Sequence, residues 1–128
     1  MIYPIPMSIK ITVNTNYEGA YLKKFKIEHA FSYTITIENL STDKVQLVSR
    51  HWEIVDSLGD KIVVDGEGVV GQKPVLLAGE KHVYSSGCIL TSTIGAMCGY
   101  FNMINHNTTH NFRVLVPAFQ LQVPFVLN

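Results

Sequence analysis

Glycines at 66, 68 and 71, with Glu67 between the first two and Lys73 two residues beyond the last, form the densest chemical pattern in the chain. The spacing Gly66-x-Gly68-x-x-Gly71 matches the fingerprint with which a strand–turn–helix unit cradles a dinucleotide pyrophosphate. That chemistry needs a helix whose first amides and dipole face the phosphates. A short strand does lead in. Pro74, however, follows three residues after Gly71, and Val75-Leu76-Leu77 is too short and too poorly patterned for a helix. The structural context fails, so the pattern is not read as a nucleotide site. Two uses remain for these residues. The glycines supply positive φ or close backbone approach in a sharp turn, or exposed amides form a small anion nest aided by Lys73 and Arg50. Glu67 opposes an anion and suits a basic partner or a cation instead.

The other reactive side chains are less organised. His106 and His110 flank Asn107-Thr108-Thr109, which reads as a hairpin tip, and no second ligand pair accompanies them as a zinc site requires. They are read as solvated loop histidines. His29 falls on an apolar parity and is expected at the edge of the core with one satisfied hydrogen bond. Magnesium prefers hard oxygen ligands. Asp56, Asp60 and Asp65 surround one hairpin, where turn chemistry explains them. Ser85 and Ser86 have no nearby His or Asp, and no nucleophile elbow occurs. Cys88 sits between Gly87 and Ile89, the setting of an unactivated thiol. No catalytic group, metal or cofactor is expected.

The elements that position these residues are strands. Ile9, Ile11 and Val13 alternate with polar neighbours, the pattern of a half-buried strand. The clearest strand is 25–37, where Phe25, Ile27, Phe31, Tyr33, Ile35 and Ile37 share one parity. In the next strand, 45–55, the apolar parity slips: Val45 and Leu47 are odd, Trp52 and Ile54 even. A β-bulge near 48–49 is therefore expected. Arg50 shares the parity of Trp52, so its guanidinium must be paired or reach the rim. A turn over 57–60 leads to a short strand at 62–64, and 76–77 reads as a brief edge strand. Further strands are expected at 82–89, 97–104, 111–116 and 119–123, the last bracketed by Pro117 and Pro124. The best helical candidate, 17–24, contains Gly19 and is expected to make one turn at most. Eight or nine short strands indicate an antiparallel two-layer sandwich or a barrel. Trp52 is the expected anchor between the layers, packed among Phe31, Tyr33 and Ile35.

Bulk properties fit this reading. A chain of 128 residues, 47% hydrophobic and 16% charged, suits a single domain spanning 1–128 with a core of its own. Ten basic residues balance ten acidic ones, which argues against nucleic acid and against a polybasic membrane surface. No apolar run reaches the ~18 residues of a membrane span, and 1–6 has neither the basic leader nor the apolar core of a signal peptide. The expectation is a cytoplasmic protein with Cys88 and Cys98 reduced and no membrane insertion.

The ordered set of motifs resembles one family. Arg50-His51-Trp52 is followed by Gly66-Glu67-Gly68-Val69-Val70-Gly71-Gln72-Lys73-Pro74, then Gly79-Glu80, Tyr84-Ser85-Ser86-Gly87, Gly95-Ala96-Met97-Cys98-Gly99-Tyr100-Phe101 and Val116-Pro117-Ala118-Phe119 with Pro124. Together they look like the signature of bacterial ApaG proteins over nearly the whole chain. Departures are small: Ala78 stands where the family usually has Pro, and Ser86 where Thr is common. The resemblance implies a fibronectin type III-like (immunoglobulin-like) sandwich and a protein-interaction module, together with a genetic association with cobalt and magnesium resistance. The expected function is a non-enzymatic binding module for an unknown protein partner. Gly66, Glu67, Gly68, Gly71, Lys73, Arg50 and Tyr84 are its candidate contacts, and a homodimer through open sheet edges is compatible with it. The rivals are a small-ligand binder using the same loop for an anion such as pyrophosphate or a divalent cation, and an enzyme acting on phosphorylated nucleotides.

Overall fold

The computed structural model describes residues 8–57, 59 and 61–124. Its elements are all strands: β1 (Ile9–Lys23), β2 (Lys26–Asn39), β3 (Val45–Asp56), β4 (Lys61–Glu67), β5 (Val75–Leu76), β6 (Lys81–Leu90), β7 (Ile94–Asn105) and β8 (Asn111–Gln122). One sheet has the order β1-β2-β6. The other has the order β4-β3-β7-β8, with the short β5 pairing beside β4 on β3. Every pairing is antiparallel and the two sheets stay separate. The fold is a sandwich of the expected class, with no closed barrel.

Period-two patterning accounts for the interior. Phe31, Tyr33, Ile35 and Ile37 face inward from β2 and meet Leu47 and Trp52 of β3, Met97, Phe101 and Met103 of β7, and Val114, Val116 and Leu121 of β8. Trp52 is 3% exposed. Its ring lies edge-on to Phe101 and Phe119, with centroids 5.9 and 6.0 Å away, and 5.9 Å from Tyr33 of the opposite sheet. These are favourable aromatic geometries that bridge the two layers.

Three strand readings need correction. The stretch 17–24 makes no helical turn. β1 runs through it as far as Lys23, with a bulge between Tyr17 and Gly19, because every residue from 17 to 23 except the bulged Glu18 finds a partner on β2. Phe25 is not a core residue: it and Lys24 form the turn between β1 and β2, and Phe25 is 98% exposed. The stretches 111–116 and 119–123 are one strand. Pro117, which cannot donate a ladder hydrogen bond, falls where the β7–β8 register is interrupted, so the strand passes through it without a break. The bulge expected near 48–49 is present between Leu47 and Ser49. The turn residues Leu58 and Asp60, and the expectation for 1–6, lie outside the described residues.

Polar groups buried at the ends of the sandwich are satisfied. Asn39, fully buried, donates to the carbonyls of Asp43 (2.7 Å) and Leu76 (3.1 Å) and accepts from Ser41 N–H (3.0 Å). At the other end the Asp56 carboxylate accepts from Thr91 N–H and Oγ1, both at 2.6 Å, and from Ser92 Oγ. Asp56 thus shapes the β6–β7 turn.

Trp52→Ala is expected to cost about 3–5 kcal/mol, the range for truncating a well-packed buried aromatic. A urea titration followed by circular dichroism measures it, and a loss below about 1 kcal/mol would contradict the placement.

Candidate functional site

The glycine loop is built from the bulge in β3. By adding a residue against β7, the bulge takes Val48 out of the ladder, and the Val48 carbonyl accepts the Gly68 amide instead (2.8 Å). Arg50 follows on the inward parity and is paired across the sheet with Gly66. Its Nη1 donates to the carbonyls of Glu67 (3.0 Å) and Gly68 (2.9 Å). A side chain at 66 would prevent this, since a Cβ there would lie 2.7–2.8 Å from the guanidinium carbon and nitrogens. Gly68 has φ +63°, and a Cβ on it would overlap the Gln72 carbonyl. Gly68 is demanded by close approach to backbone, whereas Gly66 makes room for the Arg50 side chain.

Beyond Gly68 the chain makes a two-residue turn, not a helix. Val69 N–H donates to Gln72 O (2.7 Å) and Gln72 N–H to Val69 O (3.0 Å). Between them Val70 and Gly71 have φ of 48° and 74°, the sign pattern of a type I′ turn. Val69 is fully buried and Val70 is 62% exposed at the tip. The return limb is tied to β3, where Gln46 Nε2 donates to Lys73 O (3.0 Å) and Leu47 N–H to Pro74 O (3.1 Å). Lys73 Nζ and Glu67 Oε2 are 3.0 Å apart on the surface.

The structure brings together six of the seven residues expected at this site: Arg50, Gly66, Glu67, Gly68, Gly71 and Lys73. Their roles differ from the expected ones. Arg50 clamps loop carbonyls and is half-buried, and the amides of Gly68, Val69 and Gln72 point at protein acceptors. Tyr84 does not join them. It is 8% exposed, faces inward opposite Ile35 and packs on Phe101 with ring centroids 6.5 Å apart. Burial holds its phenol well above the usual tyrosine range. Tyr84 shares the parity of Leu90, which fixes it inside.

Strand alternation also builds a feature that sequence patterning did not single out. After the bulge, the odd residues of β3 face outward. His51 Nδ1 lies 2.6 Å from Asp65 Oδ1 on β4, and His51 Nε2 lies 3.2 Å from Glu53 Oε2. Ionised carboxylates only accept, so this arrangement favours the protonated ring, in which both nitrogens donate. The hydrogen bond to Asp65, then that to Glu53, raises the His51 pKa. Lys61 Nζ pairs with Glu53 Oε1 at 2.5 Å, and its hydrogen bond is the main cause holding the Glu53 carboxyl below its usual range. The imidazole stacks on Tyr100 of β7 (4.6 Å, 16°), and the Arg113 guanidinium of β8 lies over the same Tyr100 ring, 3.8 Å from its centroid. The result is a polar ladder across four strands. Its signal was the odd, polar set Ser49, His51 and Glu53 beyond the slip.

The remaining candidates are dispersed. Asp56 and Asp65 serve separate partners, His106 Nε2 pairs with Gln46 Oε1 (2.9 Å), and His29 Nδ1 with the Tyr17 hydroxyl (3.0 Å). Among the described residues, no three His, Cys, Asp or Glu side chains are grouped to hold a metal ion. Cys88 and Cys98 lie on strands of opposite sheets and are not joined, and burial pushes the Cys88 thiol up to about 11. Among the described residues, no helix is long and apolar enough to cross a membrane.

The sequence profile of the ApaG domain matches residues 20–105, which include Arg50, His51 and the whole loop. The chain belongs to the ApaG family. It is 42% identical to protein ApaG of Vibrio cholerae over 120 residues, covering 94% of each chain. Protein ApaG of Yersinia pestis is 40% identical over 98 residues, 77% of this chain and 78% of that one. Among solved structures, an X-ray structure of a Northeast Structural Genomics Consortium target superposes with a TM-score of 0.90 at 33% identity, covering 96% of this chain and 92% of the other. A crystal structure from Bordetella pertussis gives a TM-score of 0.83 at 34% identity, covering 92% and 95%.

Two outcomes follow from this geometry. Arg50→Met should destabilise the fold by about 1–3 kcal/mol, because it leaves two loop carbonyls without their charged donor. Chemical denaturation measures this, and no change would contradict the clamp. The His51 ring should titrate above the ~6.5 of an unfolded histidine, and fall toward it in Asp65→Asn. Its contribution to stability is complete below about pH 6.5 and is lost as pH rises through the folded-state pKa. An imidazole titration by NMR at or below 6.5 would contradict the ladder.

Proposed function

We propose that this ApaG-domain chain is a non-enzymatic binding module of the cytoplasm that docks a partner protein through the exposed tip of the 66–74 loop. The observation that carries the reading is Val70. A β-branched residue with φ 48° is a backbone outlier, and this one is 62% exposed, packing little of itself into the fold. Strain held in place by a surrounding scaffold is a mark of sites where geometry serves recognition. Here the scaffold is the Arg50 clamp, the Gly68–Val48 hydrogen bond and the buried Val69. On this reading Val70 is the apolar contact, and Glu67 and Lys73 are the charged rim.

A small-anion site on the same loop has less support. The amides of Gly68, Val69 and Gln72 already donate within the protein, and the Arg50 Nη1 already donates to carbonyls. The family's association with cobalt and magnesium resistance would then run through the partner.

Val70→Asn separates recognition from folding. Asn adopts the left-handed region readily, so the variant should gain about 0.5–1 kcal/mol of stability. It should also lose at least tenfold in affinity for a partner isolated on the wild-type protein and measured by calorimetry. Glu67→Lys should weaken a basic partner likewise. Thermal shifts against pyrophosphate, nucleotides, cobalt and magnesium supply the opposing result. A ligand bound only by the folded state raises stability by RT ln(1 + [L]/Kd), and a shift abolished by Gly68→Val would favour the small-ligand reading.

A further inference from the structure

The largest departure from ordinary burial lies at the other end of the sandwich. β6 pairs with β2 only as far as Leu90↔His29, whereas β1 follows β2 to Lys23↔Lys26. Residues 21–28 therefore form a two-stranded ribbon that overhangs the domain. The parity that buries Phe31 and Tyr33 continues into it through Ile27 and its partner Leu22, yet these are 59% and 75% exposed. Tyr21, on the other face, is 54% exposed. Phe25 at the apex is 98% exposed.

The turn itself is strained. Lys24 and Phe25 have φ of 51° and 66° in succession, a conformation for which Asn-Gly is the low-cost choice. Lys23, Lys24 and Lys26 surround the apex, all exposed, and among the described residues none lies within salt-bridge reach of a carboxylate. The balanced charge of the whole chain conceals this local surplus.

We propose that the 21–28 ribbon is a docking finger for an anionic lipid surface, with Phe25 inserted below the headgroups. Apolar side chains occupy the apex and both faces of the ribbon, so the occupant must surround the tip. A lipid interface does this, whereas a shallow protein surface covers one face. Lysine stems lie along apolar surroundings while their ammonium groups stay at phosphate level, which places Lys23, Lys24 and Lys26 at the headgroups when Phe25 enters end-on. The contact is peripheral and needs no membrane span. It is independent of the 66–74 loop, which sits at the Asn39 end of β2 and stays free for a partner.

Co-sedimentation with vesicles of equal parts phosphatidylglycerol and phosphatidylcholine, against phosphatidylcholine alone, tests this. The wild-type protein should bind the anionic vesicles and release as salt rises from about 50 to about 300 mM. Each of Lys23→Gln, Lys24→Gln and Lys26→Gln should weaken binding about fivefold. Phe25→Gly relieves the left-handed strain. It should raise the melting temperature while lowering binding at least tenfold, so the loss cannot be ascribed to unfolding. Absence of binding at about 1 mM anionic lipid, or binding that Phe25→Gly leaves intact, overturns the proposal. A photocrosslinking residue at position 25 supplies the rival outcome. One discrete protein adduct in cells, with no vesicle binding, would assign the finger to a protein cleft.

Discussion

One extra residue in β3 governs much of this molecule. Side chains alternate with a period of two, so a single-residue insertion reverses which parity faces the core from that point on. Before the bulge, Val45 and Leu47 are buried; beyond it, Trp52 is buried and His51 and Glu53 face outward. Without the slip, Trp52 would leave the aromatic cluster with Tyr33, Phe101 and Phe119, and the imidazole would enter it. Val48, the inserted residue, has no partner on β7, and its carbonyl accepts the Gly68 amide on the β4 side of the strand. Core anchor, outer polar ladder and loop attachment all trace to one backbone irregularity.

The 66–74 loop follows from that beginning. Gly66 gives way to the Arg50 guanidinium, Gly68 turns the chain against the Gln72 carbonyl, and buried Val69 plugs the loop into the core. The polar groups that resemble an anion cradle in the sequence are spent on the protein's own backbone. What reaches solvent is Val70, held in a conformation it does not favour, with an ion pair beside it. On the proposed reading, this outward-facing tip is the contact with a partner.

Much of the fold was legible in the sequence because one-sided burial writes a strong alternation. The strand pattern, the bulge near 48–49 and the burial of Trp52, Phe31, Tyr33 and Ile35 came from parity alone. Parity failed where it had no information about length of cover. Phe25 and Ile27 carry the core pattern, but β6, the neighbour of β2 in its own sheet, stops short of them and both are exposed, and a periodicity cannot say where the surrounding structure ends. Pro117 was read as a break because local chemistry does not reveal a register interruption on the neighbouring strand. At the site, the glycines and Arg50 were visible as residue types, but the contacts of Arg50 with Gly66, Glu67 and Gly68 and of Gly68 with Val48 join positions 16–20 apart. Tyr84 was misplaced because the run from 81 to 90 mixes polar and apolar residues on both parities. The His51 ladder spans four strands, so only the register assembled it.

The claim that most needs testing is that the loop is closed on itself, with its amides turned inward. Amide hydrogen exchange at Gly68, Val69 and Gln72 reads this directly, because an amide bonded to protein exchanges only when that bond opens. The account predicts that Gly68 is protected to nearly the level of the neighbouring β3 amides, with Val69 and Gln72 also well above the exposed turn. Exchange of all three at the rate of an unstructured loop would contradict it, and would return the loop to the open anion nest that its glycines first suggest.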